Sequence, residues 1–575
     1  MMNDEDIINF YIDNDTLISP ELLSYAREKP LPIRNKFSVL TKDIDILLSK
    51  GISFDVSDFE RATVLKEKHK NLKAYNSMLD SLTHSGEREI IPNSSQHSVE
   101  TSVANKENSP ADAEQQSTSQ LIKIGAGIQG ASEEFLLKNK IKIVSSYLQK
   151  TRKWSVGDFV GLYNARYRDI EKILRSRQEL QNLTSISRIL SKKERENVAF
   201  VGVVFDKGLT KSGNIMLTIE DPTGMVKVVV NKGKEDLFRL AGEIQFDETI
   251  GVAGMYDNIV FANNIFIPDI PLTKELKKSP EEGYFVLISD TQIGNKLFLE
   301  KEFNKFISWL SGEIGTEKQK EVASKVKYVF FAGDLVEGVG IYPDQEYNLS
   351  IIDIYDQYKA AAEMLKKIPS HLPIIFCLGN HDVGRISEPQ PALTSEYAAP
   401  VLALPNVIPV SNPSIINIYA QSEKGFDGLD VMLYHGGSFF YYANNLMSIR
   451  RGGGYRRSDL IMRYLLQRRH LAPSHTATLY IPDPKKDPLV IDKVPDFLFS
   501  GHLHRASVNN YRNVTCINAS CWVSKSPEEE RRGLDPQPAR AFIIDMQTRE
   551  VKIMNFLSKE DQEKEQPGAK EADNG

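Results

Sequence analysis

Five short polar motifs constrain this chain more than any other feature. Each stands at the end of an apolar run, and all lie in the second half. They read Ser289-Asp290-Thr291-Gln292, Gly333-Asp334-Leu335-Val336-Glu337-Gly338, Gly379-Asn380-His381-Asp382, Tyr434-His435-Gly436-Gly437 and Gly501-His502-Leu503-His504. The runs before them, at 285–288, 329–331, 374–378, 431–433 and 497–499, read as buried strands, and helical stretches at 302–314 and 354–367 separate several of them. That alternation predicts a layered α/β domain over residues 276–558, in which loops at strand ends converge on one rim. The motifs together supply carboxylate, amide and imidazole groups. This mixture suits a pair of divalent ions that clamp a phosphate ester.

A chain of 575 residues is too long for one core, so two to four domains are expected. Its 41% hydrophobic and 26% charged residues indicate a soluble globular protein, and no apolar stretch approaches the length of a membrane span. The acidic start, Met1 to Asp6, does not resemble a secretory signal. The three cysteines, Cys377, Cys516 and Cys521, have no zinc-binding spacing and no disulfide framework, which fits a cytoplasmic location; Cys377 reads as a buried strand residue. A net charge of -6 means that the chain as a whole is not a basic nucleic-acid binder. Local patches still set such binding.

The pattern divides the chain further. Residues 1–75 read as a small helical N-terminal module, with Ser19 capping a helix opened by Pro20. Residues 76–130 read as a disordered linker, because Ser, Asn, Gln and Glu dominate its centre and cannot offset ordering entropy. Residues 131–275 combine a helical lead-in, at 133–191, with a β region from Asn197 to Pro268. Short alternating strands at 198–204, 215–221, 225–230, 249–255 and 259–267, with Gly-containing turns between the first three, predict an OB-type barrel, with another small β-barrel as the alternative. A polar tail, 559–575, closes the chain.

The five motifs, in this order and spacing, resemble those of the calcineurin-like metallophosphoesterases. With a barrel directly before them, the chain resembles the small subunits of archaeal family D DNA polymerases. Two further runs are similar to that family: Tyr464-Leu465-Leu466-Gln467-Arg468-Arg469-His470-Leu471-Ala472-Pro473 and Leu489-Val490-Ile491-Asp492-Lys493-Val494-Pro495-Asp496. The resemblance implies an OB-type barrel followed by a calcineurin-like phosphoesterase domain. It also implies two divalent metals, manganese before magnesium, and 3′-to-5′ exonuclease activity on single-stranded or primer-template DNA. The partner it implies is a large catalytic subunit, with no membrane. Asp290 would bind the first metal, Asp334 would bridge, Asn380, His435 and His502 would bind the second, and His504 would complete the first. His381 would protonate the leaving oxygen, with Asp382 near enough to orient it. Glu337 would support the loop through hydrogen bonds rather than bind metal.

One position departs from the family pattern: Gln292 stands where the family has His. An amide oxygen is a harder, weaker ligand than imidazole and suits manganese or magnesium better than zinc. Two other functions therefore stand beside a nuclease subunit. One is a scaffold subunit with a weak or lost site, and the other is a stand-alone metallophosphatase. His97, His371 and His470 read as ordinary loop residues. The stretch Arg450-Arg451-Gly452-Gly453-Gly454-Tyr455-Arg456-Arg457, extended by Arg463, Arg468 and Arg469, reads as a basic surface that guides DNA or docks a partner. The nearby Phe439, Phe440, Tyr441 and Tyr442 suit base stacking or core packing. The barrel is rich in aliphatics, with Phe200 and Phe205 its main aromatics, so protein contact is an alternative to strand binding there.

Overall fold

The computed structural model describes residues 131–148, 152–180, 182–419, 425–526, 529–530, 533–558 and 562. The expected N-terminal module and linker lie outside the described residues, as does the tail apart from Gln562. Among the described residues no helix is long and apolar enough to cross a membrane.

The described chain opens with helix Glu133–Lys138 and strand β1, Ile141–Ser146. The lead-in was expected to be helical throughout. The β1 segment instead pairs antiparallel with Ser414–Ile418, some 270 positions away, and buries Ile141 and Ile143. A six-residue apolar alternation cannot declare such a remote partner. Helix Val156–Arg175 follows, capped by Ser155 and Asp158.

A closed barrel comes next. Its strands are β2 Glu196–Leu209, β3 Ile215–Asp221, β4 Gly224–Val230, β5 Thr249–Asp257 and β6 Ile259–Phe266, in the order β2-β3-β4-β6-β5. Alternate residues, such as Val198, Phe200, Leu217, Ile219, Val228 and Ile250, fill its interior. The Asp221 carboxylate accepts the N–H groups of Thr223 (2.7 Å) and Gly224 (3.1 Å), which fixes the tight β3–β4 turn.

The remaining strands are β7 Tyr284–Ile288, β8 Val326–Phe331, β9 Ile374–Cys377, β10 Val407–Val410, β11 Ser414–Ile418, β12 Leu429–Leu433, β13 Phe497–Ser500, β14 Ser507–Tyr511, β15 Val514–Asn518, β16 Arg540–Asp545 and β17 Val551–Asn555. They form two six-stranded sheets, β1-β11-β12-β13-β15-β14 and β10-β9-β8-β7-β16-β17. The parallel set β10-β9-β8-β7 continues into antiparallel β16 and β17, and the parallel set β12-β13-β15 has an antiparallel strand on each side, β11 and β14.

The period-two pattern explains the layering. Phe285 and Leu287 face a core shared with Val431, Leu433, Phe497 and Phe499 of the other sheet, and the Phe285 and Phe497 rings meet edge to face at 5.0 Å. Val286 and Ile288 face the opposite way, onto helices Glu300–Leu310 and Ile354–Leu365. Met432 and Leu498 face helices Phe439–Asn445 and Ser458–Arg468. The result is two sheets face to face, each covered by helices on its outer side.

Two buried ion pairs fasten the first part of the chain to this body. Arg166 donates to Asp487 at 2.6 Å, and Arg468 donates to Glu248 at 2.8 Å. The two runs singled out in the sequence meet here: Leu471 N–H donates to Leu489 O (2.9 Å), and Ile491 N–H donates to Arg469 O (2.8 Å).

Candidate metal centre

All five motifs leave the C-terminal ends of central strands. Three follow the adjacent β7, β8 and β9 of one sheet, and two follow the adjacent β12 and β13 of the other. The face-to-face sheets bring the five loops to one rim. The backbone there is unusual. Asp290, Gln292, Asp334, His502 and His504 all have positive φ, between 47° and 71°. Such conformations are uncommon for side-chain-bearing residues and collect at functional sites. Gly379 is required by close approach, because a Cβ there would lie 2.1 Å from Asp334 Oδ1.

The seven side chains expected to hold metal fall into two touching groups. In the first, His435 Nε2 lies 3.2 Å from Asp334 Oδ2 and 3.1 Å from Asn380 Oδ1. Asp334, His435 and His502 can place one ligand atom each within 4.8 Å of one another. In the second, His504 Nε2 lies 3.4 Å from Asp290 Oδ1 and 3.4 Å from Gln292 Nε2. Asp290 also accepts the N–H of His502, at 3.1–3.2 Å, which couples the β7 and β13 loops.

The donor chemistry fits a cation. His435 Nδ1 lies 2.7 Å from the Ala332 carbonyl and must donate to it. In the neutral ring, Nε2 is then a bare lone pair facing the oxygens of Asp334 and Asn380. Without a cation, a second proton has to fill that place. Burial pushes the His435 pKa down, but the Asp334 carboxylate outweighs it and lifts the ring to about 10. Burial and the neighbouring His435 charge push His502 the other way, to about 3. The Asp334 carboxylate thus favours positive charge at His435 Nε2, the place that a divalent ion would take. His504 repeats the pattern: Nδ1 lies 2.9 Å from Glu529 Oε1, so Nε2 faces Asp290. A half-turn of the Gln292 amide exchanges Nε2 for Oε1, the atom that a cation would take.

Asp382 does not orient His381. It is buried, and its carboxylate accepts N–H groups from Asp334 (2.8 Å), Leu335 (3.1 Å) and Gly379 (2.9 Å), so it ties the β8 loop to the β9 loop. Burial and the negative Asp334 beside it lift its pKa to about 7. Glu337 positions His381 instead. His381 Nδ1 donates to the Glu337 carbonyl at 2.8 Å, which leaves Nε2 free. The Glu337 carboxylate, buried as expected of a supporting residue, accepts from Asn295 (3.0 Å), Tyr342 (2.7 Å) and Gln345 (3.0 Å).

Several supporting residues escaped the sequence reading. Glu529 carried one legible signal, the Ser-x-x-Glu capping spacing with Ser526, whose N–H and Oγ lie 2.8 and 2.9 Å from Glu529 Oε2. Asn412 and Gln390 carried none. Asn412 Oδ1 accepts the His435 N–H (3.0 Å), and its amide donates to Gln390 (2.7 Å). The basic surface is smaller than expected. Arg450, Arg451, Arg456 and Arg463 are exposed, but Arg468 and Arg469 are buried, paired with Glu248 and with the carbonyls of Ile491 and Asp492. Phe439 and Tyr442 are core, whereas Phe440 and Tyr441 are half-buried, with the Phe440 ring 5.1 Å from that of His502.

The fold and its rim define a calcineurin-like phosphoesterase domain, and the calcineurin-like phosphoesterase family model matches residues 283–506. That class implies divalent metal ions. Three curated relatives carry the name DNA polymerase II small subunit. The chain is 36% identical to that of Pyrococcus furiosus, over 69% of this chain and 63% of that one. It is 37% identical to that of Methanothermobacter thermautotrophicus, over 70% and 80% respectively, and 35% identical to that of Archaeoglobus fulgidus, over 70% and 78%. The chain belongs to the family of DNA polymerase II small subunits. The match spans less than two thirds of the Pyrococcus relative's length.

Proposed function

We propose that this chain is the proofreading small subunit of a two-subunit archaeal replicative DNA polymerase. It would remove nucleotides from the 3′ end of single-stranded or primer-template DNA, while a large catalytic subunit carries synthesis. The observation that supports this best is the convergence of bare imidazole, carboxylate and amide donors at one rim. Asp290, Gln292 and His504 would hold one divalent ion, Asn380, His435 and His502 a second, and Asp334 would touch both. Manganese is favoured over magnesium. Such a pair supplies Lewis acidity toward a phosphodiester and a nucleophilic water at neutral pH.

The chain's own residues would do the rest. Ala332 O and Glu529 fix the ring orientation of His435 and His504. His381, held at Nδ1 by the Glu337 carbonyl, presents Nε2 to the leaving oxygen. Water adds to phosphorus and gives up a proton to solvent, the bond from phosphorus to the penultimate 3′ oxygen breaks, and His381 in its doubly protonated form, with one proton on Nδ1 toward the Glu337 carbonyl, gives the other from Nε2 to that oxygen and regains one from solvent. The products are a 5′-nucleotide and a strand with a free 3′ hydroxyl.

We take the domains to be 131–275 and 276–558, with a helical module at 1–75, a linker at 76–130 and a tail at 559–575. We take the barrel to be of OB type, a reading that its strand order supports. Its exposed Phe205 and Phe246 suit contact with the large subunit, with strand binding as the alternative. Arg450, Arg451 and Arg456 suit the DNA backbone.

Gln292 favours one second reading, a scaffold subunit with a weak site. The test is cleavage of 3′-mismatched and single-stranded DNA by the full chain, alone and with the large subunit, across manganese and magnesium titrations. An Asp334→Ala control runs beside it. Metal-dependent cleavage that the control lacks supports the nuclease, and its absence with folded protein and bound large subunit supports the scaffold.

A further inference from the structure

A cavity of about 220 Å³ opens beside the metal centre and shares Asn380, His435 and His502 with it. Its outer wall is built differently from the rest of the rim. Ile386 and Leu479, both on loops, line it while 53% and 64% exposed. Exposed aliphatics on both of the loops that flank a polar reaction centre have no role in the core.

The two loops are fastened together. Glu388 N–H donates to Leu479 O, and Ile481 N–H donates to Glu388 O, each at 2.8 Å. The Glu388 side chain is buried in the lining itself and accepts from Tyr434 Oη at 3.1 Å. A Cβ at Gly437 would come 2.7 Å from Glu388 Oε1, so a larger residue there would press on the wall. The wall is therefore held in place rather than draped over the site.

We propose that this cavity receives the base of the 3′-terminal nucleotide, with Ile386 and Leu479 packing against the faces of the base. The proposal rests on the nuclease reading above. Continuity supports it: a phosphodiester at Asn380, His435 and His502 leaves one attached nucleoside at the mouth of the cavity. Size supports it too. The space is below the ~300–1,000 Å³ of pockets for drug-sized ligands, so it suits one base and not a strand running through. Chemistry supports it third. Every base has an apolar face, so packing against aliphatics accepts any sequence, as removal of successive nucleotides requires.

The experiment measures kcat/KM of the full chain in manganese on two labelled single strands. One ends in a normal 3′ nucleotide, and the other ends in an abasic residue. The wild type is expected to favour the normal end by about tenfold, or ~1.4 kcal/mol. In the Ile386→Ala, Leu479→Ala double variant that ratio is expected to fall to near one. A wild-type ratio already near one overturns the base site and leaves the nuclease intact. A ratio unchanged in the double variant does the same, since general damage lowers both strands alike. No cleavage of either strand by the wild type overturns the nuclease reading and this proposal together.

Discussion

Asp487 stands between Arg166 and His470, and this trio fastens the helix before the barrel to the phosphoesterase body. Arg166 Nε donates to Asp487 Oδ2 at 2.6 Å, and His470 Nε2 lies 2.9 Å from the same oxygen. All three side chains are buried. The helix also packs closely there, since a Cβ at Gly161 would lie 2.5 Å from Pro484 Cβ.

Asp487→Ala leaves the Arg166 charge buried without its carboxylate. Breaking such a pair costs about 3–5 kcal/mol. The apparent unfolding temperature is expected to fall on the order of 10 °C. Calorimetry checks this, and a fall of a degree or less would mean that the pair carries no net stability.

Acid should weaken the same joint. Ala472 N–H donates to His470 Nδ1 at 2.9 Å, so the ring is neutral, with its one proton on Nε2 toward Asp487. Burial and the Arg166 charge push its pKa down to about 4, against the favourable Asp487 carboxylate. The unfolded ring takes up a proton near pH 6.5, before the folded one does. This contribution is therefore complete above pH 6.5 and is lost as the pH falls toward 4, by about 3 kcal/mol. Denaturant titrations at several pH values on wild type and His470→Gln test it. Parallel pH profiles for the two proteins would refute it.

Gln292→His should tighten the first metal site. Imidazole is the stronger ligand for manganese and later transition ions. The manganese concentration for half-maximal thermal stabilisation is expected to fall at least tenfold. An unchanged midpoint would mean that residue 292 does not touch metal.

Glu529→Gln should loosen the same site without removing a ligand. The carboxylate holds His504 Nδ1 at 2.9 Å and thereby turns Nε2 toward Asp290. Loss of such a partner typically costs 10–100-fold in metal affinity. Calorimetric manganese binding reads the change, and wild-type affinity in the variant would remove Glu529 from the centre.

The loops of the candidate site were legible in the order and spacing of the motifs, and its ligand set through the family resemblance. Asp290, Gln292, Asp334, Asn380, His435, His502 and His504 each follow a strand whose apolar run ends two to five residues earlier, because a buried strand needs such a run and a ligand needs the turn after it. Local chemistry also marked the barrel strands, their tight turns and Glu337 as a supporting residue. What depended on partners far away in the chain was not legible. The strand Ile141–Ser146 is defined by pairing with Ser414–Ile418. Arg468 and Arg469 look like surface charges until Glu248 and the carbonyls of residues 491 and 492 enclose them. Asp382, next to His381 in sequence, spends its carboxylate on the backbone of Asp334, Leu335 and Gly379. The amino-acid order fixes which groups are available and what each strand must bury. Only the tertiary structure decides which lone pair meets which proton, because that depends on directions and distances between segments that the linear order does not contain.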